Sequence, residues 1–158
     1  MNWNRILISG FLVWLIQLTV ADFFMIDTVR PDFIGILIMY WAVKYGRFLG
    51  TISGLIFGLI IDFSAGTLFF GLSPLIYSLT GYLSGNMKGL YSKINPFYFN
   101  IFWVTIFIIQ FFIFCIVNYQ EILIIDLELF FGKWFGTSIY TISIMIILQF
   151  IHPLNRID

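Results

Sequence analysis

Gly50-Thr51-Ile52-Ser53-Gly54-Leu55-Ile56-Phe57-Gly58-Leu59-Ile60-Ile61-Asp62 is the stretch that decides the fold. Glycine returns at every fourth position, and an aspartate takes the last place in the series. On a helix, residues four apart share a face, so the three glycines and Asp62 form a slowly drifting stripe. The rest of the stretch is apolar or hydroxylated, with no charge before Asp62. Small residues let a second backbone come close, and in lipid such packing is a main source of helix association. Two uses of the stripe follow: packing against another helix of the same chain, or docking a helix of another protein. Gly81-x-x-x-Gly85 and Gly132-x-x-x-Gly136 repeat the spacing further along.

The surroundings of the stripe show that it lies in a membrane. Hydrophobic residues are 61% of the 158 and charged residues 10%, where an ordinary soluble domain has roughly 25% charged. Too few polar residues remain to cover a soluble surface, so the surface faces lipid. A spanning helix needs about 20 apolar residues, and the apolar runs divide the chain into about six. They cover residues 6–26, 31–43, 48–62, 73–90, 96–119 and 130–150, one transmembrane domain over 1–158. Ser73 and Pro74 read as the N-cap and first position of the fourth span. The second and third spans are short, near 20 Å at about 1.5 Å per residue. Their ends need shielding by neighbours or a thinned bilayer, which favours a compact all-α bundle.

Orientation follows from the basic residues. With the amino terminus in the cytoplasm, Arg5, Lys44, Arg47, Lys88, Lys93 and Arg156 fall inside, and Arg30 and Lys133 fall outside. Seven of the eight acids fall outside, with Asp158 the exception. An even number of crossings with both termini cytoplasmic preserves this alternation. The first run ends at Thr19-Val20-Ala21, which loosely resembles a signal-peptide cleavage site. Five further spans follow it, and retaining it keeps the charges alternating. Trp3, Trp41, Tyr45, Tyr91, Tyr98, Tyr119 and Trp134 lie near span ends, at the depth amphipathic rings prefer.

Asp62 closes its span at a helix carboxyl end, where the macrodipole disfavours an anion by up to about 1 kcal/mol. Donors must compensate. The Ser64-Ala65-Gly66-Thr67 turn offers backbone N–H groups and hydroxyls, and Arg30 on the same membrane face offers an ion pair. Arg30-Pro31-Asp32 reads as the start of a helix, with proline in the first turn and an acid where the dipole favours one.

No constellation for catalysis is visible. His152 and Cys115 are the sole residues of their kinds, so no zinc cluster, internal disulfide or Ser–His–Asp set can be assembled. Cys115, in an apolar run, reads as a small hydrophobe. No phosphate-cradling glycine loop is present. The net charge is zero, so bulk charge points to no nucleic-acid partner. No charge falls at a span centre, which argues against a proton- or ion-coupled pump. Gln17, Gln110 and Gln149 are the main polar residues within spans, and they read as bonds to neighbouring helices. The expectation is a protein that is not an enzyme and carries no cofactor or metal.

A family likeness emerges over residues 30–85. Arg30-Pro31-Asp32, a short span, Tyr40-Trp41-Ala42, the basic turn from Lys44 to Arg47, and the glycine helix ending at Asp62 stand in order. Gly66, Gly71 and Gly81-Tyr82-Leu83 follow. This resembles the rod shape-determining protein MreD family, and the fifth and sixth spans match it only in character. The resemblance implies a six-helix bundle similar to the substrate-binding S-components of energy-coupling-factor transporters. It implies a multi-pass scaffold of the bacterial inner membrane, acting in cell elongation beside the bitopic protein MreC. Actin-like MreB, the glycan polymerase RodA and a class B penicillin-binding protein belong to the same machinery. On that reading the glycine faces hold the partner's transmembrane helix, amid membrane lipids, and self-association is left open. The rival is an S-component-like subunit that binds a vitamin or similar solute, which needs polar residues converging on an outward cavity.

Overall fold

The computed structural model describes residues 3–25, 29–65 and 69–154, and in them the chain is helical. Seven helices follow one another among these residues: α1 (Trp3–Phe23), α2 (Phe33–Tyr45), α3 (Arg47–Ala65), α4 (Leu72–Gly85), α5 (Pro96–Asn118), α6 (Gln120–Ile125) and α7 (Leu127–Ile151). Six of them overlap the apolar runs of the sequence. The seventh, α6, is a single extra turn-and-a-half between α5 and α7.

Local chemistry sets most of the boundaries. Asp32 is the N-cap of α2, its carboxylate accepting from the Gly35 N–H at 2.8 Å. Asn95 caps α5 by accepting from the Phe97 N–H, with Pro96 in the first turn. Asp126 separates α6 from α7 and accepts from the Leu129 N–H. The fourth helix departs from expectation. Its N-cap is Gly71, in the left-handed region at φ 98°, and Leu72 precedes Ser73 and Pro74 in the helix. A side chain would be strained at that φ, so glycine, not serine, can occupy the position. The helix also stops at Gly85, and residues 86–94 are mostly turns instead of a continuing helix.

α3 and α4 make the closest pair, running antiparallel with their backbones in contact. A Cβ on Gly50 would run into Gly81 O, one on Gly54 into the Tyr77 carbonyl, and one on Gly58 into the Pro74 backbone. From the other side, a Cβ on Gly81 would strike the Gly50 carbonyl, and one on Gly85 the Arg47 backbone. Gly50 and Gly81 thus face one another, and Gly54, Gly58 and Gly85 lie against the opposite helix's backbone in the same contact. This settles between the two uses of the stripe. It is internal packing, and the reading of Gly50, Gly54, Gly58, Gly81 and Gly85 as a surface for a partner's helix is corrected, because their faces are already covered.

α2 is the central helix. Eight of its 13 residues are buried, including Ile34, Ile38, Met39 and Val43. At about 1.5 Å per residue it is near 20 Å long, and the surrounding helices supply the shielding that so short an apolar segment needs in lipid. The outer helices expose large apolar side chains: Leu7 is 67% exposed, Phe48 82% and Phe150 87%. A water-facing surface does not tolerate apolar exposure on this scale. α3, α5 and α7 are each long and apolar enough to cross a membrane.

Candidate functional site

Several buried polar side chains meet around Asp32. That carboxylate is 7% exposed. Oδ1 accepts from the Gly35 N–H at 2.8 Å and from the Tyr77 hydroxyl at 3.0 Å, and Oδ2 accepts from Gln110 Nε2 at 2.6 Å. The Gln110 amide thus turns its nitrogen toward Asp32 and its oxygen away. Gln110 Oε1 then accepts from the Thr80 hydroxyl at 3.0 Å. The Asp32 N–H reaches Thr141 Oγ1 at 3.4 Å. Beside them Gln17 spans the approach to α2, donating to Pro31 O at 3.1 Å and accepting from the Phe33 N–H at 2.9 Å.

One aspartate therefore ties α2 to α4, α5 and α7, and one glutamine ties α1 to the same turn. In a water-free interior each polar atom left unpaired would cost several kcal/mol, roughly 4–8 on apolar-transfer scales. The mutual pairing is what makes this end stable. The expectation that Gln17 and Gln110 bond to neighbouring helices agrees with these contacts. Tyr77, Thr80 and Thr141 were not singled out from sequence. The available signal was that each is a hydroxyl in an apolar helix that needs a partner.

Asp62 lies deeper than expected, 2% exposed. Its Oδ2 accepts from the Gly71 N–H at 2.6 Å. Two residues of the family motif, nine apart in sequence, are thereby joined, and the carboxylate fixes the left-handed turn that starts α4. Gly66 lies outside the described residues. The ion pair expected between Arg30 and Asp62 does not form. Arg30 is exposed and its Nε donates to Met25 Sδ at 3.1 Å, while Asp62 Oδ1 has no hydrogen-bond partner among the described residues. The backbone N–H of Gly71 takes the place that the guanidinium was expected to fill. Pro31 is buried and its carbonyl accepts from Gln17.

A cavity of about 340 Å³ opens beside the network, with Gln17, Arg30, Asp32, Tyr77, Gln110 and Tyr119 in its wall. A larger furrow of about 510 Å³ runs between α1 and α3. Its wall is almost wholly hydrocarbon, with Trp41 and Phe57 as the floor. The one hydroxyl there, Ser53, is turned back to Gly50 O. Apart from Trp14, whose buried Nε1 has no hydrogen-bond partner among the described residues, such a furrow has little to orient a ligand, so the smaller cavity is the better candidate. Its polar atoms are already largely engaged: both Gln17 amide atoms, both Gln110 amide atoms and the Tyr77 hydroxyl have partners.

Gly132 and Gly136 sit on α7, apart from the α3–α4 contact. A Cβ on Gly132 would meet nothing within 4 Å, and one on Gly136 would reach only Val29 Cγ2 at 3.5 Å. Among the described residues, no cluster of three or more His, Cys, Asp or Glu side chains is placed to hold a metal.

Among known families, the model described as rod shape-determining protein MreD matches residues 2–154. No curated protein and no solved structure matches the chain.

Proposed function

Because this chain belongs to the rod shape-determining protein MreD family and so to the machinery that sets bacterial cell shape, we propose that it is a non-catalytic scaffold of the inner membrane. It crosses the bilayer six times, in the manner of an S-component bundle, with both termini in the cytoplasm. The Asp32 end faces outward and receives the membrane-proximal part of an MreC-like partner. Through that partner it helps position RodA, a class B penicillin-binding protein and MreB for peptidoglycan synthesis.

The observation that carries this reading is the Asp32–Tyr77–Gln110–Thr80 network. It fixes the helix ends around the cavity into one rigid rim while keeping its own polar groups engaged with each other. A rigid rim with few unsatisfied groups suits shape-matched docking of a polypeptide, where preorganisation lowers the cost of association. Co-expression with the MreC-like protein of the same genome tests it. The partner should co-purify in detergent, with crosslinks concentrated at the Asp32 end. Failure to retain the partner would overturn the proposal.

One observation favours a second reading. Gln17, Arg30, Asp32, Tyr77 and Gln110 do converge on a cavity within the volume range of small-ligand sites, roughly 300–1,000 Å³. The sequence offered little sign of such convergence. A solute-binding subunit would show ligand-dependent thermal stabilisation against a panel of vitamins, and the scaffold reading expects no shift.

A further inference from the structure

Among the described residues, α6 is the one helix with no buried residue. It lies at the rim of the Asp32 cavity: Tyr119, whose side chain lines that cavity, is at once the C-cap of α5 and the N-cap of α6. At its tip Ile124 is 85% exposed and Ile125 83%, and Leu127 just beyond is 59% exposed. Glu121 precedes this apolar knob, and Asp126 and Glu128 follow it, all exposed. Lys133 Nζ lies 5.2 Å from the Tyr119 ring centroid, and Arg30 stands in the cavity wall.

We infer that α6 is a docking knob for a polypeptide, namely an outer segment of the MreC-like partner that presents an apolar depression ringed by lysine or arginine. The inference rests on the partner reading above and adds the surface that makes the contact. Charge selects the occupant. Helices that lie in a lipid interface carry lysine and arginine on their polar face, which attract anionic headgroups. Here the polar positions around the knob are acids, which such headgroups repel. A basic protein surface satisfies both features: it covers the isoleucines and neutralises Glu121, Asp126 and Glu128. Continuity with the cavity gives the segment a second foothold through Tyr119.

The test uses the full chain co-expressed with the MreC-like protein of its genome. Ile124→Ser with Ile125→Ser should lower the recovered partner by about tenfold or more, since two apolar side chains lose their burial. Both side chains are more than four-fifths exposed, so the melting temperature of the isolated protein should not change. Glu121→Lys with Glu128→Lys should lower recovery by about threefold in low salt and by nothing in high salt. A bimane label on Ile125→Cys should be shielded from quenching by brominated phosphatidylglycerol vesicles when the partner is bound. Full recovery with the serine variant, or strong lipid quenching in the complex, overturns the knob and leaves the partner reading intact. Loss of the partner from the unmodified chain overturns both.

Discussion

Gly54→Leu and Gly58→Leu are expected to stop the bundle from assembling. A side chain at Gly54 would run into the Tyr77 carbonyl and Ser78 N, and one at Gly58 into the Pro74 and Ser73 backbone. Backbone atoms of a packed helix cannot swing aside as a flexible side chain does, so α3 and α4 must separate along their length. Overpacking a core costs typically about 1–3 kcal/mol, and forcing two backbones apart belongs at or beyond the top of that range. Even Gly54→Ala should destabilise clearly, because the first carbon already clashes. Gly132→Leu is the matched control, since a Cβ there meets nothing within 4 Å. Melting in detergent, followed by size-exclusion chromatography, should show collapse for the α3 variants and near-normal behaviour for Gly132→Leu. A docking role for the stripe predicts the reverse: stable α3 variants that have lost only a partner.

The second large effect concerns Asp32. Asp32→Ala removes the acceptor for three donors at once: the Gly35 N–H, the Tyr77 hydroxyl and Gln110 Nε2. The Tyr77 and Gln110 donors, stranded without an acceptor, cost roughly 1–3 kcal/mol each, and loss of the N-cap bond from the Gly35 N–H adds about 1 kcal/mol. A total near 3 kcal/mol or above is expected, a large part of the stability of any domain of this size. Asp32→Asn keeps the shape and some of the bonds, so it should fall between. Because Gln110 acts through Asp32, Gln110→Ala in an Asp32→Ala background should cost much less than it does alone. Arg30→Gln makes no contact with the carboxylate, and its effect should simply add. Thermal melts of the four single variants and the two doubles separate these outcomes.

The parts of this structure that composition and spacing made legible are those with local causes. The apolar runs located the six main helices, Pro96 marked the start of α5, and the i, i+4 glycines marked a close helix contact. Which helix made that contact was not written in α3 itself; the matching Gly81 and Gly85 were visible, but their register against Gly50 and Arg47 is set by the fold. Asp62 shows the limit from another side. The nearest donors in sequence and the nearest cation by topology were both reasonable partners, yet the bond goes to Gly71 across the 66–68 segment. Asp32 was readable as an acid favoured by the dipole at a helix start, not as the N-cap it is, and its other partners were hidden because Tyr77, Gln110 and Thr141 lie 45, 78 and 109 residues away. Such distances leave no periodic trace. α6 leaves no such trace either, since six residues are too few for a periodicity.

Every placement of function here depends on the Asp32 end facing outward and the Lys44 end facing the cytoplasm. Single cysteines introduced by Asn4→Cys, Ser92→Cys and Gln120→Cys, in a Cys115→Ala background, read this directly. In intact cells a membrane-impermeant maleimide should label the chain carrying Gln120→Cys and leave the other two unlabelled until the membrane is opened. Labelling of Asn4→Cys or Ser92→Cys from outside, or protection of Gln120→Cys, would contradict the account.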